Sequence, residues 1–124
     1  MAGAGAEAVT LINTVLGMVI DPDTRRSALG NGGGGVSGRA IHPMAVRAVH
    51  DVHSALPAVP IIGVGGVTVS WDAVELMLAG ACAVQVGTAT FADPRAPWRV
   101  REGLVAWAER QGISSLRELT GAIR

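Results

Sequence analysis

The sequence predicts an α/β fold of about three βα units with parallel strands. Three short apolar runs, rich in branched aliphatic residues, alternate with segments in which apolar residues recur at helical spacing. Each run ends at a glycine-rich or polar turn, which is typical of strands that are covered on both faces. The joints between a helix and the next strand are short, as in right-handed crossovers within one sheet. The predicted strands are Val9–Asn13, Pro60–Val64 and Ala83–Val86.

Four helices are predicted from the apolar spacing and from residues that favour helix ends. Pro43 suits the first turn of a helix, where its missing N–H costs nothing. Ser70 is expected to cap the second helix, and Gly80 and Gly112 are expected to end the second and third. Ser114 is expected to cap the last one. The predicted helices are 43–56, 70–79, 96–111 and 115–120.

The composition of the 124 residues excludes several classes of protein. A chain that is 49% hydrophobic cannot stay disordered in water. The single cysteine, Cys82, excludes a disulfide scaffold and is expected to be a small core residue. Ten acidic and ten basic residues leave no net charge, so binding to nucleic acid is not expected. No run suits a membrane span, and the N-terminus lacks the basic region of a signal peptide, so we expect a cytoplasmic protein.

Three βα units are too few for a closed fold. A sheet of three parallel strands has two open edges, and a complete barrel of eight βα units takes about 250 residues. The chain is therefore expected to be part of a larger fold, and its apolar edges favour a homo-oligomer. The segment 15–42 shows no regular pattern, and its stretch Gly32–Gly38 is typical of a flexible lid or linker.

Two turns after neighbouring strands favour a phosphate site. Gly63–Gly66 follows the second predicted strand, and Gly87–Thr88 follows the third. Glycines let backbone N–H groups approach an anion, and barrels commonly bind phosphate with the loops after their last two strands. The alternative is that these glycines only make tight turns, but the pairing of the two turns favours phosphate.

Other polar residues are weaker candidates for a site. Asn13 and Thr14 end the first strand, where the amide could bind a planar ligand or satisfy loop backbone. His42, His50 and His53 lack the carboxylates or cysteines of a metal signature, so we interpret them as exposed or partly buried helix residues and predict no metal site. The tryptophans are expected to pack helices onto the sheet: Trp71, Trp98 and Trp107.

Four motifs occur in an order that resembles the C-terminal part of class 1 dihydroorotate dehydrogenase, especially the NAD-linked bacterial type. They are Leu11–Met18, Gly34–Pro43, Pro60–Gly66 and Ala79–Thr88. The similarity covers almost the whole chain. The combination is specific, although the Gly-Gly and Gly-Thr turns alone recur across FMN-binding barrels.

The resemblance implies an FMN-dependent TIM (β/α)₈ barrel, a flavoprotein oxidoreductase that converts dihydroorotate to orotate in pyrimidine (UMP) biosynthesis. Residues 1–124 would form a partial FMN-binding barrel that matches strands six to eight with their following helices. Asn13 and Thr14 match the family's pair that holds the substrate. The positions that match FMN contacts are Ile12, Gly38, Gly65, Gly66, Gly87 and Thr88.

The resemblance places the remaining chemistry in the N-terminal half of the barrel. The family's catalytic base, a cysteine, and the lysine beside the flavin lie there, whereas all ten basic residues here are arginines. Cys82 matches a position that is usually small and packed, and it is not matched to the base. The resemblance therefore implies a segment of dihydroorotate dehydrogenase that needs the missing N-terminal half for turnover. It also implies an iron–sulfur flavoprotein subunit as a possible electron-transfer partner. The alternatives are a non-catalytic half-barrel that binds phosphate or FMN, and a fragment with no stable function.

Overall fold

The structure is a computed structural model that describes residues 5–124. Residues 1–4, which entered the expectation of no signal peptide, lie outside the described residues. The strands are β1 (Val9–Leu11), β2 (Val15–Gly17), β3 (Ile20–Asp21), β4 (Arg26–Ser27), β5 (Gly34–Val36), β6 (Ile61–Val64) and β7 (Ala83–Gln85). The helices are α1 (His42–Ala55), α2 (Ser70–Ala79), α3 (Ala89–Ala92) and α4 (Ala96–Arg110), with 3₁₀ turns at Arg39–Ile41 and Leu116–Leu119.

The three predicted strands form one parallel sheet in the order β1-β6-β7, which confirms that prediction with shorter bounds. Val9 pairs with Ile61 and Ile62 with Ala83, so β6 is central and the other two strands are edges. All four predicted helices are present within two residues of the expected bounds, except that the last is a short 3₁₀ turn.

The core lies between the sheet and the helices. Helix α2 packs against both α1 and α4, and α1 packs on β6. Small and branched residues allow these elements to approach closely. No helix among the described residues is long and apolar enough to cross a membrane. The main core residues are Ala45, Val49, Ile61, Leu76 and Val100.

The segment 15–42 contains two short antiparallel pairs, where we expected no regular structure. β2 pairs with β5, and β3 pairs with β4. Two of the three residues of β5 are glycines, Gly34 and Gly35, which are rare in strands, so the local pattern did not indicate a strand. This ribbon presents apolar side chains to solvent, and Leu16 on β2 is 90% exposed.

The N-terminus of α2 is capped differently from the prediction. Ser70 is the first helical residue, and its side chain packs over Gly103 of α4 instead of capping. The cap comes from Asp72, whose Oδ2 accepts hydrogen bonds from the N–H groups of Thr68 (2.7 Å) and Val69 (2.9 Å) and from the Thr68 hydroxyl (2.8 Å). Burial raises the pKa of Asp72, but these hydrogen bonds outweigh it, so the pKa of this carboxyl lies below its ordinary value.

Cys82 is exposed, so the expectation of a core cysteine is wrong. It lies one residue before β7, an edge strand whose end residues Ala83 and Gln85 are also exposed. An edge strand has no neighbour on its outer side, so a position that a full sheet would cover faces solvent here.

Two of the three tryptophans form a pair between helices, and Trp98 lies apart from them. Trp71 of α2 and Trp107 of α4 meet edge to face, with ring centroids 6.4 Å apart and an interplanar angle of 85°. Trp71 is 58% exposed and Trp98 is 60% exposed, so the expectation that they pack helices onto the sheet is wrong for both. The pair joins two helices, and neither ring belongs to the buried core cluster under the sheet.

Replacing Trp71 with leucine is expected to lower the free energy of unfolding by about 1 kcal/mol, because the edge-to-face ring contact is lost while an apolar side chain remains. Urea denaturation measures the change. Trp98→Leu is the matched control and is expected to change stability by less than about 0.5 kcal/mol. Equal losses in the two variants would contradict a specific role for the ring pair.

Candidate functional site

A cavity of about 160 Å³ lies at the carboxyl ends of β1, β6 and β7. The turns after these three strands line it, together with the segment that leads into α1. Ligand sites in parallel α/β folds form at this end of the sheet, because the strand-to-helix loops converge there. The cavity brings together all eight residues that the sequence singled out: Ile12, Asn13, Thr14, Gly38, Gly65, Gly66, Gly87 and Thr88.

The turn after β6 requires glycine at two consecutive positions. Gly65 has φ +138° and Gly66 has φ +66°, values that residues with a Cβ rarely adopt. A Cβ on Gly66 would lie 2.8 Å from the Cβ of His42 and 2.9 Å from the carbonyl oxygen of Gly38. The turn therefore has no room for a side chain at Gly66, because the segment before α1 lies directly against it.

The turn after β7 is open where the turn after β6 is crowded. A Cβ on Gly87 would meet no atom within 4 Å, and the position lines the cavity. Across residues 5–124, the N–H groups of Gly66, Gly87 and Thr88 donate to no protein acceptor. Three donors without protein acceptors at one cavity can bind a small anion.

Asn13 and Thr14 lie at the opposite wall, directly after β1. The Oδ1 of Asn13 accepts a hydrogen bond from the N–H of Thr14 at 2.7 Å, so its oxygen is engaged locally. The side-chain amide of Asn13 donates to no acceptor among the described residues, which leaves it free to donate to a ligand oxygen. Both residues are exposed.

His42 contacts the turn after β6 from outside the cavity lining, a contact that the sequence interpretation missed. It is buried, with 7% of its surface exposed. Its Nδ1 lies 2.8 Å from the carbonyl oxygen of Gly65, and its Nε2 lies 3.0 Å from Oε2 of Glu75 on α2. These partners are 23 and 33 residues away in sequence, so no local motif could have indicated them. His50 and His53 are partly buried on α1, as expected.

His42, Asp72 and Glu75 offer ligand atoms that all lie within 4.8 Å of one another, a spacing compatible with a metal ion. Their hydrogen bonds already account for this arrangement. His42 joins Gly65 to Glu75, and Oδ2 of Asp72 accepts three hydrogen bonds at the start of α2. Arg39 extends the network, because its Nη1 donates to the Thr68 hydroxyl at 3.1 Å. The cluster therefore ties the segment before α1 to the turn after β6.

Residues 2–107 match the family model described as dihydroorotate dehydrogenase. The chain is 52% identical over 120 residues to dihydroorotate dehydrogenase B (NAD(+)), catalytic subunit, of Geotalea uraniireducens, covering 97% of this chain and 39% of that protein. It is 48% identical over 121 residues to putative dihydroorotate dehydrogenase A (fumarate) of Solibacter usitatus, covering 98% of this chain and 40% of that protein. The chain thus spans about two fifths of the length of these relatives.

Solved structures also match nearly all of this chain with only part of their own length. The chain superimposes on dihydroorotate dehydrogenase of Eimeria tenella in complex with ferulenol with a TM-score of 0.79 and 28% identity. The match covers 98% of this chain and 32% of that one. The ligand-free form of the same protein gives the same TM-score, and the match covers 33% of its chain. The predicted fold class, three βα units from the C-terminal part of a (β/α)₈ barrel, is confirmed.

Proposed function

Because this chain belongs to the dihydroorotate dehydrogenase family, we propose that it is the segment of an FMN-dependent enzyme that carries the FMN-phosphate site and one substrate clamp. The whole enzyme would oxidise dihydroorotate to orotate. The observation that carries this proposal is the single cavity that collects both glycine turns and the Asn13–Thr14 pair at the carboxyl ends of the strands.

The residues of the cavity fit the phosphate of FMN. The N–H groups of Gly66, Gly87 and Thr88 have no protein acceptor among residues 5–124, and phosphate oxygens are strong acceptors. Gly87 leaves open space where a side chain would stand. Ile12 and Gly38 line the same cavity and would contact the rest of the cofactor. When bound, FMN supplies the hydride acceptor, and the protein supplies position.

The substrate would bind at the wall formed by Asn13 and Thr14. The side-chain amide of Asn13 can donate to a carboxylate or carbonyl oxygen of dihydroorotate, and the Thr14 hydroxyl can donate or accept. We assign no proton removal to Cys82. It precedes β7, at the amino end of that strand, whereas the cavity lies at the carboxyl end. The catalytic base would come from the N-terminal part of the barrel.

The partners follow from the same proposal. Relatives named as the catalytic subunit of a B-type, NAD(+)-linked enzyme suggest an electron-transfer subunit as partner. The edges β1 and β7 would pair with the N-terminal part of the barrel or with another copy of the chain. A non-catalytic module that binds FMN is the second candidate, since every residue of the proposed phosphate site lies within this chain.

Co-expression tests the enzymatic proposal. The chain is produced together with the N-terminal three fifths of the Geotalea uraniireducens relative, and FMN reduction by dihydroorotate is followed under anaerobic conditions. We expect substrate-dependent bleaching of the flavin only when both parts are present. If the complex forms and binds FMN but dihydroorotate does not bleach the flavin, the result would contradict the enzymatic proposal and favour the non-catalytic module.

Replacing Gly87 with alanine is expected to weaken FMN binding about tenfold, or 1.4 kcal/mol, because a methyl group enters the phosphate position. The dissociation constant from quenching of flavin fluorescence measures the effect, and riboflavin, which lacks the phosphate, should be unaffected. Gly30→Ala is the matched control, since a Cβ there also meets no atom within 4 Å and the residue lies outside the cavity. Equal weakening of riboflavin binding would contradict the assignment of phosphate to this turn.

A further inference from the structure

The peptide unit between Gly65 and Gly66 is held on one side by a buried side chain. Nδ1 of His42 lies 2.8 Å from the carbonyl oxygen of Gly65. A carbonyl oxygen can only accept, so Nδ1 carries a proton and donates it. The N–H of Gly66, on the other side of the same peptide unit, has no protein acceptor among the described residues.

We propose that His42 is a positioning residue that aims the N–H of Gly66 into the cavity. In a trans peptide the carbonyl and the following N–H point in opposite directions within one plane. Binding the Gly65 carbonyl towards α1 therefore turns the Gly66 N–H away from α1, towards the cavity that Gly66 lines. This role rests on the proposed function, because the N–H becomes useful when an anion such as the FMN phosphate binds there.

Two glycine positions make this orientation depend on His42. Gly65 and Gly66 have positive φ, and glycine has several backbone conformations of similar energy. Without a partner for the carbonyl, the peptide unit could rotate and take its N–H out of the cavity. The hydrogen bond from a buried donor removes that freedom before the ligand arrives, which lowers the entropic cost of binding.

Glu75 fixes the other edge of the imidazole ring. Its Oε2 lies 3.0 Å from Nε2 of His42, and its side chain is 45% exposed. The ring is thus held between the turn after β6 and helix α2, and its plane cannot swing away from the Gly65 carbonyl. The backbone of His42 also lies close to the turn, since its N would be 3.0 Å from a Cβ placed on Gly66.

Two substitutions separate the contacts of the ring. Asparagine at position 42 places a side-chain N–H near Nδ1 and can keep the bond to Gly65, whereas glutamine places its amide near Nε2 and can keep only the bond to Glu75. The first readout is the ¹⁵N shift of the Gly66 amide in the ligand-free full chain, which responds to hydrogen bonding at the Gly65 carbonyl. The second is the ratio of FMN affinity to riboflavin affinity, which isolates the phosphate.

We expect His42→Asn to keep the FMN-to-riboflavin ratio near the wild-type value and to shift the Gly66 resonance only slightly, because the contact with Glu75 is lost while the bond to Gly65 remains. His42→Gln should shift the Gly66 resonance and lower the FMN-to-riboflavin ratio about tenfold, as expected for a lost hydrogen bond to a charged group. Identical readouts in the two variants would overturn the positioning role. Glu75→Ala is a milder variant for the case in which neither substitution at position 42 folds. It should shift the Gly66 resonance slightly, because the ring loses its contact at Nε2. An unchanged resonance would also overturn the positioning role.

The two readouts keep this inference separate from the proposed function. If wild-type protein binds no FMN, the proposed function of the isolated chain fails, while the Gly66 resonance of the ligand-free variants still decides whether His42 sets the turn. If FMN binds and His42→Gln leaves both readouts unchanged, the phosphate site stands and the role of His42 is wrong.

Discussion

Replacing Gly66 with alanine is expected to lower the free energy of unfolding by about 2–5 kcal/mol, the sum of a left-handed backbone cost and of overpacking. The residue has φ +66°. A methyl group there would lie 2.8 Å from the Cβ of His42 and 2.9 Å from the carbonyl oxygen of Gly38. None of these contacts is the end of a flexible side chain, so relief requires movement of the backbone. Thermal and urea denaturation measure the loss.

Gly112→Ala is the matched control for this substitution. Gly112 has almost the same φ, +67°, but a Cβ there meets no atom within 4 Å. Its replacement should therefore cost only the backbone term, about 1–2 kcal/mol. The difference between the two variants measures the crowding at the turn after β6. Equal losses would mean that the segment before α1 yields easily, and the turn would then be less rigid than the structure indicates.

Replacing Asp72 with alanine is expected to cost about 2–4 kcal/mol at pH 7, because the start of α2 loses a carboxylate that accepts three hydrogen bonds. The donors are the N–H groups of Thr68 and Val69 and the Thr68 hydroxyl. Asp72 is buried, with 4% of its surface exposed, so water does not fully replace the lost acceptor. Denaturation curves at pH 7 give the change.

The same carboxylate makes stability depend on pH. The pKa of Asp72 is lower in the folded chain than its ordinary value, so its ionised form stabilises the fold. This contribution is complete above the ordinary carboxyl pKa of about 3.9 and is lost as the pH falls through the lower, folded value. Asp72→Asn should therefore be less stable than wild type at pH 7, with the difference shrinking towards acid.

Asp21 provides the internal comparison for this pH effect. Hydrogen bonds from Thr24 and Asp23 lower its pKa as well, but Asp21 is unchanged in the Asp72→Asn variant. Its contribution therefore cancels when the two proteins are compared. A stability difference that stays constant down to pH 2 would contradict the role of the Asp72 charge.

The sheet and the glycine turns were predictable because their signals are local. A short run of branched aliphatic residues followed by glycine is typical of a buried parallel strand, and β6 fits this pattern apart from Gly63 within it. Parallel strands bring their carboxyl ends together, so the turns at Gly65 and Gly87 had to meet at one edge of the sheet. The two glycine turns of the cavity were predicted for this reason, whereas Ile12 and Gly38 were indicated only by the resemblance to dihydroorotate dehydrogenase.

The errors arose where distant contacts decide the outcome. The environment of His42 depends on Gly65 and Glu75, which are far away in sequence. Ser70 has the right chemistry for a cap, but packing against Gly103 directs its side chain elsewhere, and Asp72 caps α2 instead. Cys82 follows the pattern of a core residue and is exposed because β7 is an edge strand. Local patterns describe elements, whereas burial depends on which elements become neighbours.

The separation of the paired strands along the chain also favours one order of pairing during folding. The pairs between β6 and β7 join residues 21 positions apart, whereas those between β1 and β6 join residues 52 positions apart. Closing the longer loop costs more entropy, by about 0.6 kcal/mol for each doubling of length. The ribbon and α1 separate β1 from its partner β6 in the chain, whereas only α2 separates β6 from β7. We therefore expect β1 to pair after β6 and β7 have paired, so that the wall carrying Asn13 and Thr14 is completed after the two glycine turns are in place.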